Sequence, residues 1–144
     1  MTVWDSEERL KVLSDILDEL MGLEDDQVIL VEGKRDRSGL NLLGVKGEMI
    51  LVQTRDGIFH IAEQLANEKK RAVILTDWDR KGGHLCRLLR EALIANNVPF
   101  DDTMRGRLAK VSRGNIKDVE SLPSFFSRLV AEVRITDGEG FGAR

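Results

Sequence analysis

Three carboxylates stand just after short apolar runs. Val28-Ile29-Leu30-Val31 leads into Glu32-Gly33, and Ala72-Val73-Ile74-Leu75 leads into Thr76-Asp77-Trp78-Asp79. Along a regular strand, residues i and i+2 point to the same side, so Asp77 and Asp79 are expected to face one way. Two carboxylates so placed repel unless a cation or a proton lies between them. Mg²⁺ suits such a pair, because it takes hard oxygen ligands and leaves room for water and a substrate phosphate. Glu32 is then a third carboxylate, able to ligate or to exchange a proton with an attacking or leaving oxygen. Acidic residues are common at strand ends, so the bare DxDxxG pattern leaves solvated loop carboxylates as the alternative. Glu32 could also simply open a turn and pair with Lys34 or Arg35. The coincidence of two strand ends favours one shared site.

The elements that must position these residues follow from periodicity. Asp5-x-x-Glu8 fits a capping box. Leu10, Leu13, Ile16, Leu17 and Leu20 then make one apolar face, and Gly22 is a plausible stop. That helix is expected to pack on the core; a dimer contact through the same stripe is the alternative. Strands are expected at Val28–Val31, 49–53 and 72–75. Their continuous apolar character suits a parallel sheet covered on both faces. Helices are expected from about Arg37 to Leu43, from Ile58 to about Asn67, and from Gly83 or His84 to Asn96, with Gly82-Gly83 as a tight turn before the last. Asn97 to Phe100 reads as an edge strand at most. Thr54 to Gly57 reads as a strand-to-helix loop. Ser121-x-Pro123 opens a final helix, and the glycine-rich stretch from Thr136 to Arg144 is expected to fray. The whole is an α/β fold: three layers, with a mostly parallel four-stranded sheet between helices. It divides into an N-terminal helix (1–24), the main domain with a basic helical extension (25–135) and a flexible tail (136–144). If strand order reverses between the first and third strands, their tips form the ligand crevice.

The 144 residues suffice for one core, and no apolar run approaches the roughly 18 residues of a membrane span. The N-terminus lacks the pattern of a secretory signal. The lone cysteine, Cys86, suits a reducing, cytoplasmic setting. The net charge of -3 conceals a division: residues 1–30 carry nine acids and two bases, the remainder sixteen acids and twenty bases. Five bases and no acid lie between Thr103 and Lys117. A local basic face of this kind permits a nucleic-acid partner.

Val31-Glu32-Gly33-Lys34-Arg35-Asp36 together with Thr76-Asp77-Trp78-Asp79-Arg80-Lys81-Gly82 resembles the two motifs of the Toprim domain. That domain is shared by topoisomerases, bacterial-type primases, overcoming-lysogenization-defect nucleases, recombination-mediator proteins and the ribonuclease that matures 5S ribosomal RNA. The likeness covers about Asp26 to Asp101 and is nearest to small, stand-alone, maturase-like proteins common in archaea. It implies a Toprim-like fold, Glu32 as general acid/base, Asp77 and Asp79 as Mg²⁺ ligands (Mn²⁺ substituting), and supporting roles for Asp36, Gly33 and Gly82. Trp78 and Gly83 depart from the family pattern.

The resemblance implies Mg²⁺-dependent hydrolysis of a phosphodiester, with structured RNA favoured over DNA. Lys34, Arg35, Arg80 and Lys81 flank both tips and are candidate phosphate contacts. Arg105, Arg107, Lys110 and Arg113 are candidates for an outer contact surface. Each could equally be a solvated charge. No tyrosine exists in the chain, which excludes a tyrosyl-DNA mechanism, and there is no room for the domains that accompany a primase core. The alternatives are a non-catalytic nucleic-acid-binding or assembly protein and a phosphotransfer enzyme on small substrates. A homodimer could supply the surface that one small domain lacks.

Overall fold

The computed structural model describes residues 4–53 and 57–142. Asp5 caps the first helix by accepting the Glu8 N–H at 2.8 Å, and α1 runs over Ser6–Met21 to a Gly22 cap. The chain continues through β1 (Gln27–Val31), α2 (Lys34–Leu42), β2 (Met49–Leu51), α3 (Gly57–Asn67), β3 (Arg71–Ile74) and α4 (Arg80–Ala95). It ends with β4 (Phe100–Asp101), α5 (Thr103–Val111) and α6 (Leu122–Gly142). The helix α6 passes through the start of the glycine-rich run at Thr136. Most of the expected loop Thr54 to Gly57 lies outside the described residues.

The four strands form one sheet in the order β2-β1-β3-β4, and every pairing is parallel. The α/β architecture with a parallel four-stranded sheet is therefore present. From β1 the chain goes outward to β2 on one side and then to β3 on the other. The switch in strand order falls between β1 and β3, where Leu30 pairs with Ile74. The short β4, which follows Pro99, is an edge strand.

Alternate residues of the central strands feed two cores. Val28, Leu30, Ala72 and Ile74 pack with Ile61 and Leu65 of α3 and Leu89 and Leu93 of α4. Ile29, Val31, Val73 and Leu75 pack on the other face with Leu13, Leu17, Leu108 and Phe125 from α1, α5 and α6. Both faces are covered, which explains why these strands read as continuous apolar runs. The apolar stripe of α1 is buried in this core: Leu13, Ile16, Leu17 and Leu20 are each no more than 4% exposed. That stripe packs on the core of its own chain, as expected.

Phe125 is the largest fully buried side chain of the second core. Phe125→Ala is expected to lower the unfolding free energy by about 3–5 kcal/mol. Phe59, 67% exposed on α3, should cost less than about 0.5 kcal/mol when replaced by Ala. Urea denaturation of both variants checks the assignment.

Candidate functional site

The strand tips do meet. Glu32, Gly33, Lys34, Arg35, Asp36, Gln53, Asp77, Asp79, Lys81 and Glu120 line one open cleft of about 460 Å³ beyond the ends of β1 and β3. The backbone ladder between these strands closes with Leu75 N–H donating to the Leu30 carbonyl at 2.9 Å. Beyond that point a side chain takes over. Glu32 Oε2 accepts the Asp77 N–H at 2.8 Å. The Glu32 carbonyl is already taken, on its other side, by the Gln53 N–H at 3.1 Å.

The other acids are engaged in the same way. Asp77 Oδ1 accepts the Val119 N–H at 2.9 Å, from the segment between α5 and α6. Asp79 is the N-cap of α4, and its Oδ1 accepts the Gly82 N–H at 2.7 Å. Asp36, in the first turn of α2, accepts the Gly33 N–H at 3.0 Å. Asp118 accepts the Ser121 N–H at 2.9 Å just before α6. Each carboxylate satisfies a backbone donor that has no partner of its own in a helix or sheet.

This geometry corrects the metal site. The period-two rule does not apply to Asp77 and Asp79, because β3 ends at Ile74 and α4 begins at Arg80. Both residues lie in a connecting segment. Asp77 turns to Val119, whereas Asp79 turns back over its own helix. Among the described residues, no group of three or more His, Cys, Asp or Glu side chains is arranged to hold a metal ion. Asp77 and Asp79 are therefore not a Mg²⁺ or Mn²⁺ pair. Metal-dependent phosphodiester hydrolysis with Glu32 as its general acid/base has no arrangement to rest on. The expected turn at Gly82-Gly83 is also corrected, since both glycines belong to the first turn of α4.

Burial dominates the electrostatics. Glu32 and Asp36 are 5% and 6% exposed. Burial pushes the Asp77 carboxyl up to about 7, and the nearby Asp36 and Glu32 carboxylates push the same way against the Val119 hydrogen bond. Asp36 is raised as well, chiefly by burial and then by Glu32, Glu120 and Asp118, with the Gly33 N–H opposing. Near neutral pH, Asp77 is therefore partly protonated.

The remaining candidate residues separate into two groups. Lys34, Arg35, Arg80 and Lys81 are exposed at the starts of α2 and α4. Arg35 lies 3.6 Å from Glu120, while Lys34, Arg80 and Lys81 make no ion pair among the described residues. The basic stretch is directed inward more than the sequence suggests. Arg105 donates through Nε to the Thr76 carbonyl at 3.0 Å and through Nη2 to the Asp77 carbonyl at 2.8 Å. Arg107 pairs with Glu19 at 2.6 Å, and Lys110 lies 5.5 Å from the centre of the Trp4 ring. The Arg113 carbonyl accepts from Arg9 Nη1 at 3.4 Å.

Trp78 packs away from the cleft and donates its indole N–H to the Ser112 hydroxyl at 3.1 Å and the Ile116 carbonyl at 3.0 Å. Sequence reasoning missed Ser112, Val119 and Glu120, which reach the site only through tertiary packing. It also missed Gln53, whose place at the end of an apolar run was the available signal.

Asp77 binds its proton more tightly in the folded chain than at its ordinary value of 3.8. The stability from this group is thus fully present below that value and is lost as pH rises through about 7. Between about pH 3.8 and 7 this group makes the Tm fall with rising pH, and Asp77→Asn should remove most of that contribution. Thermal melts across the range measure it. Gly82 offers a second test. A Cβ there would lie 1.8 Å from the Asp77 carbonyl oxygen, whereas one at Gly83 would lie 3.7 Å from Arg105 Nη2. Gly82→Ala should cost about 1–3 kcal/mol, and Gly83→Ala, favoured by helix propensity, should be neutral or stabilising.

Comparison with known proteins bears on the Toprim resemblance. No family model matches the chain. A UPF0292 protein of Methanosarcina barkeri is 36% identical over 122 residues, covering 84% of this chain and 85% of that protein. Those of Methanosarcina acetivorans and Methanocaldococcus jannaschii are 34% and 30% identical, covering 89% and 85% of this chain and 89% and 95% of those proteins. A solved structure of a protein from Aquifex aeolicus is similar at 25% identity with a TM-score of 0.67, covering 76% of this chain and 96% of its own. None of these names a Toprim domain or a ribonuclease. The homology points to the UPF0292 family and not to a Toprim-domain ribonuclease, which corrects that reading. The chain belongs to the UPF0292 family.

Proposed function

We propose that the cleft at the switch point binds the phosphate backbone of a nucleic acid without cutting it. The observation that carries this reading is the placement of Lys34, Arg80 and Lys81. They are exposed, make no ion pair among the described residues, and occupy the first turns of two helices that both start at the same cleft. The amino ends of α2 and α4 add the positive ends of their backbone dipoles. Contacts of this kind hold a polyanion in register and carry no base sequence.

The cleft carboxylates oppose this attraction, each held by a partner of its own. Glu32, Asp36, Asp77 and Asp79 each accept a backbone N–H, and Glu120 faces Arg35. Asp77, with its carboxyl near 7, supplies a pH dependence. When it is protonated, one repulsive charge beside the phosphates disappears, so the polyanion binds more tightly below neutral pH. Asp77 is in this reading a modulator of binding.

Fluorescence anisotropy with single-stranded RNA, duplex RNA, single-stranded DNA and duplex DNA tests the proposal and names the preferred partner. Binding should weaken with salt at a log–log slope of about -3. Lys34→Glu and Lys81→Glu should each weaken it about tenfold or more. Asp77→Asn at pH 8 should bind as wild type does at pH 6. No binding to any of the four, or binding indifferent to both charge reversals, would contradict the proposal.

A further inference from the structure

The strongest unexplained surface lies on the opposite core layer, along α6. Two adjoining grooves of about 480 and 520 Å³ share Phe126 and Ser127 and run from the end of α1 along α6. Among the described residues, five large apolar side chains are notably exposed. Three of them border these grooves: Met21 at 48%, Leu42 at 79% and Ile135 at 61%. Singly exposed apolar residues need no explanation, but a contiguous patch marks an interaction surface.

Its ends carry opposite charge. Asp18, exposed on α1, lines the groove at its Met21 end, and Arg134, exposed on α6, lines it at its Ile135 end. Neither makes an ion pair among the described residues. A mostly apolar surface, acidic at one end and basic at the other, complements itself. A two-fold axis across the groove sets the Asp18 end of one copy against the Arg134 end of the other, twice. We infer that this groove is the interface of a homodimer, with Asp18 of each protomer facing Arg134 of its partner. The Glu32–Asp77 cleft involves neither groove, so each protomer would keep its own.

Sedimentation equilibrium of the full chain across a concentration series tests this. Wild type should be a dimer in the micromolar range. Leu42→Glu should be monomeric, and because Leu42 is exposed its circular dichroism and Tm should stay close to wild type. Asp18→Arg and Arg134→Glu should each weaken dimerisation about tenfold, and the double variant should restore it, because the pairs are re-formed with signs exchanged. A wild type that stays monomeric to about 0.5 mM overturns the inference. So does a dimer that ignores Leu42→Glu, or two charge reversals whose effects simply add.

Discussion

The hydrogen bond from the Asp77 N–H to the Glu32 carboxylate continues the β1–β3 pairing past the last backbone bond of the ladder. Parallel strands that diverge at a switch point leave N–H groups with no neighbouring carbonyl, and an unpaired buried donor costs about 1–3 kcal/mol. Here the donors are met by acids. Glu32 joins the two strand tips, Asp77 ties the tip of β3 to the segment before α6, and Asp79 and Asp36 close the first turns of α4 and α2. Arg105 completes the arrangement from α5 by taking the Thr76 and Asp77 carbonyls.

The same bonds decide the electrostatics. A carboxylate used as a backbone acceptor must lie close to the protein, and burial with other acids nearby drives Asp77 toward its protonated form. Lys34, Arg35, Arg80 and Lys81 stand exposed around the same acids.

Much of the architecture was legible because local and tertiary signals agree. The Asp5 cap, the Gly22 stop, the continuous apolar strands and the edge character of β4 all follow from residue type and spacing. The convergence of Glu32 with Asp77 and Asp79 was legible too, since it needs only parallel strands and a switch between the first and third. The direction of each carboxylate was not legible. It depends on β3 stopping at Ile74 and on α4 starting at Arg80, before the glycine pair that sequence reads as its turn. The partner of Asp77 lies forty-two residues away, and no local pattern announces it.

The central claim is that these carboxylates serve the backbone. The most direct test is the carboxyl-carbon NMR shift of Asp77, followed with pH together with the Val119 amide proton. The account predicts a midpoint near 7 reported by both nuclei, because the acid that titrates is the acceptor of that amide. A midpoint in the ordinary carboxylate range near 4, with a Val119 amide that does not follow it, would contradict the account.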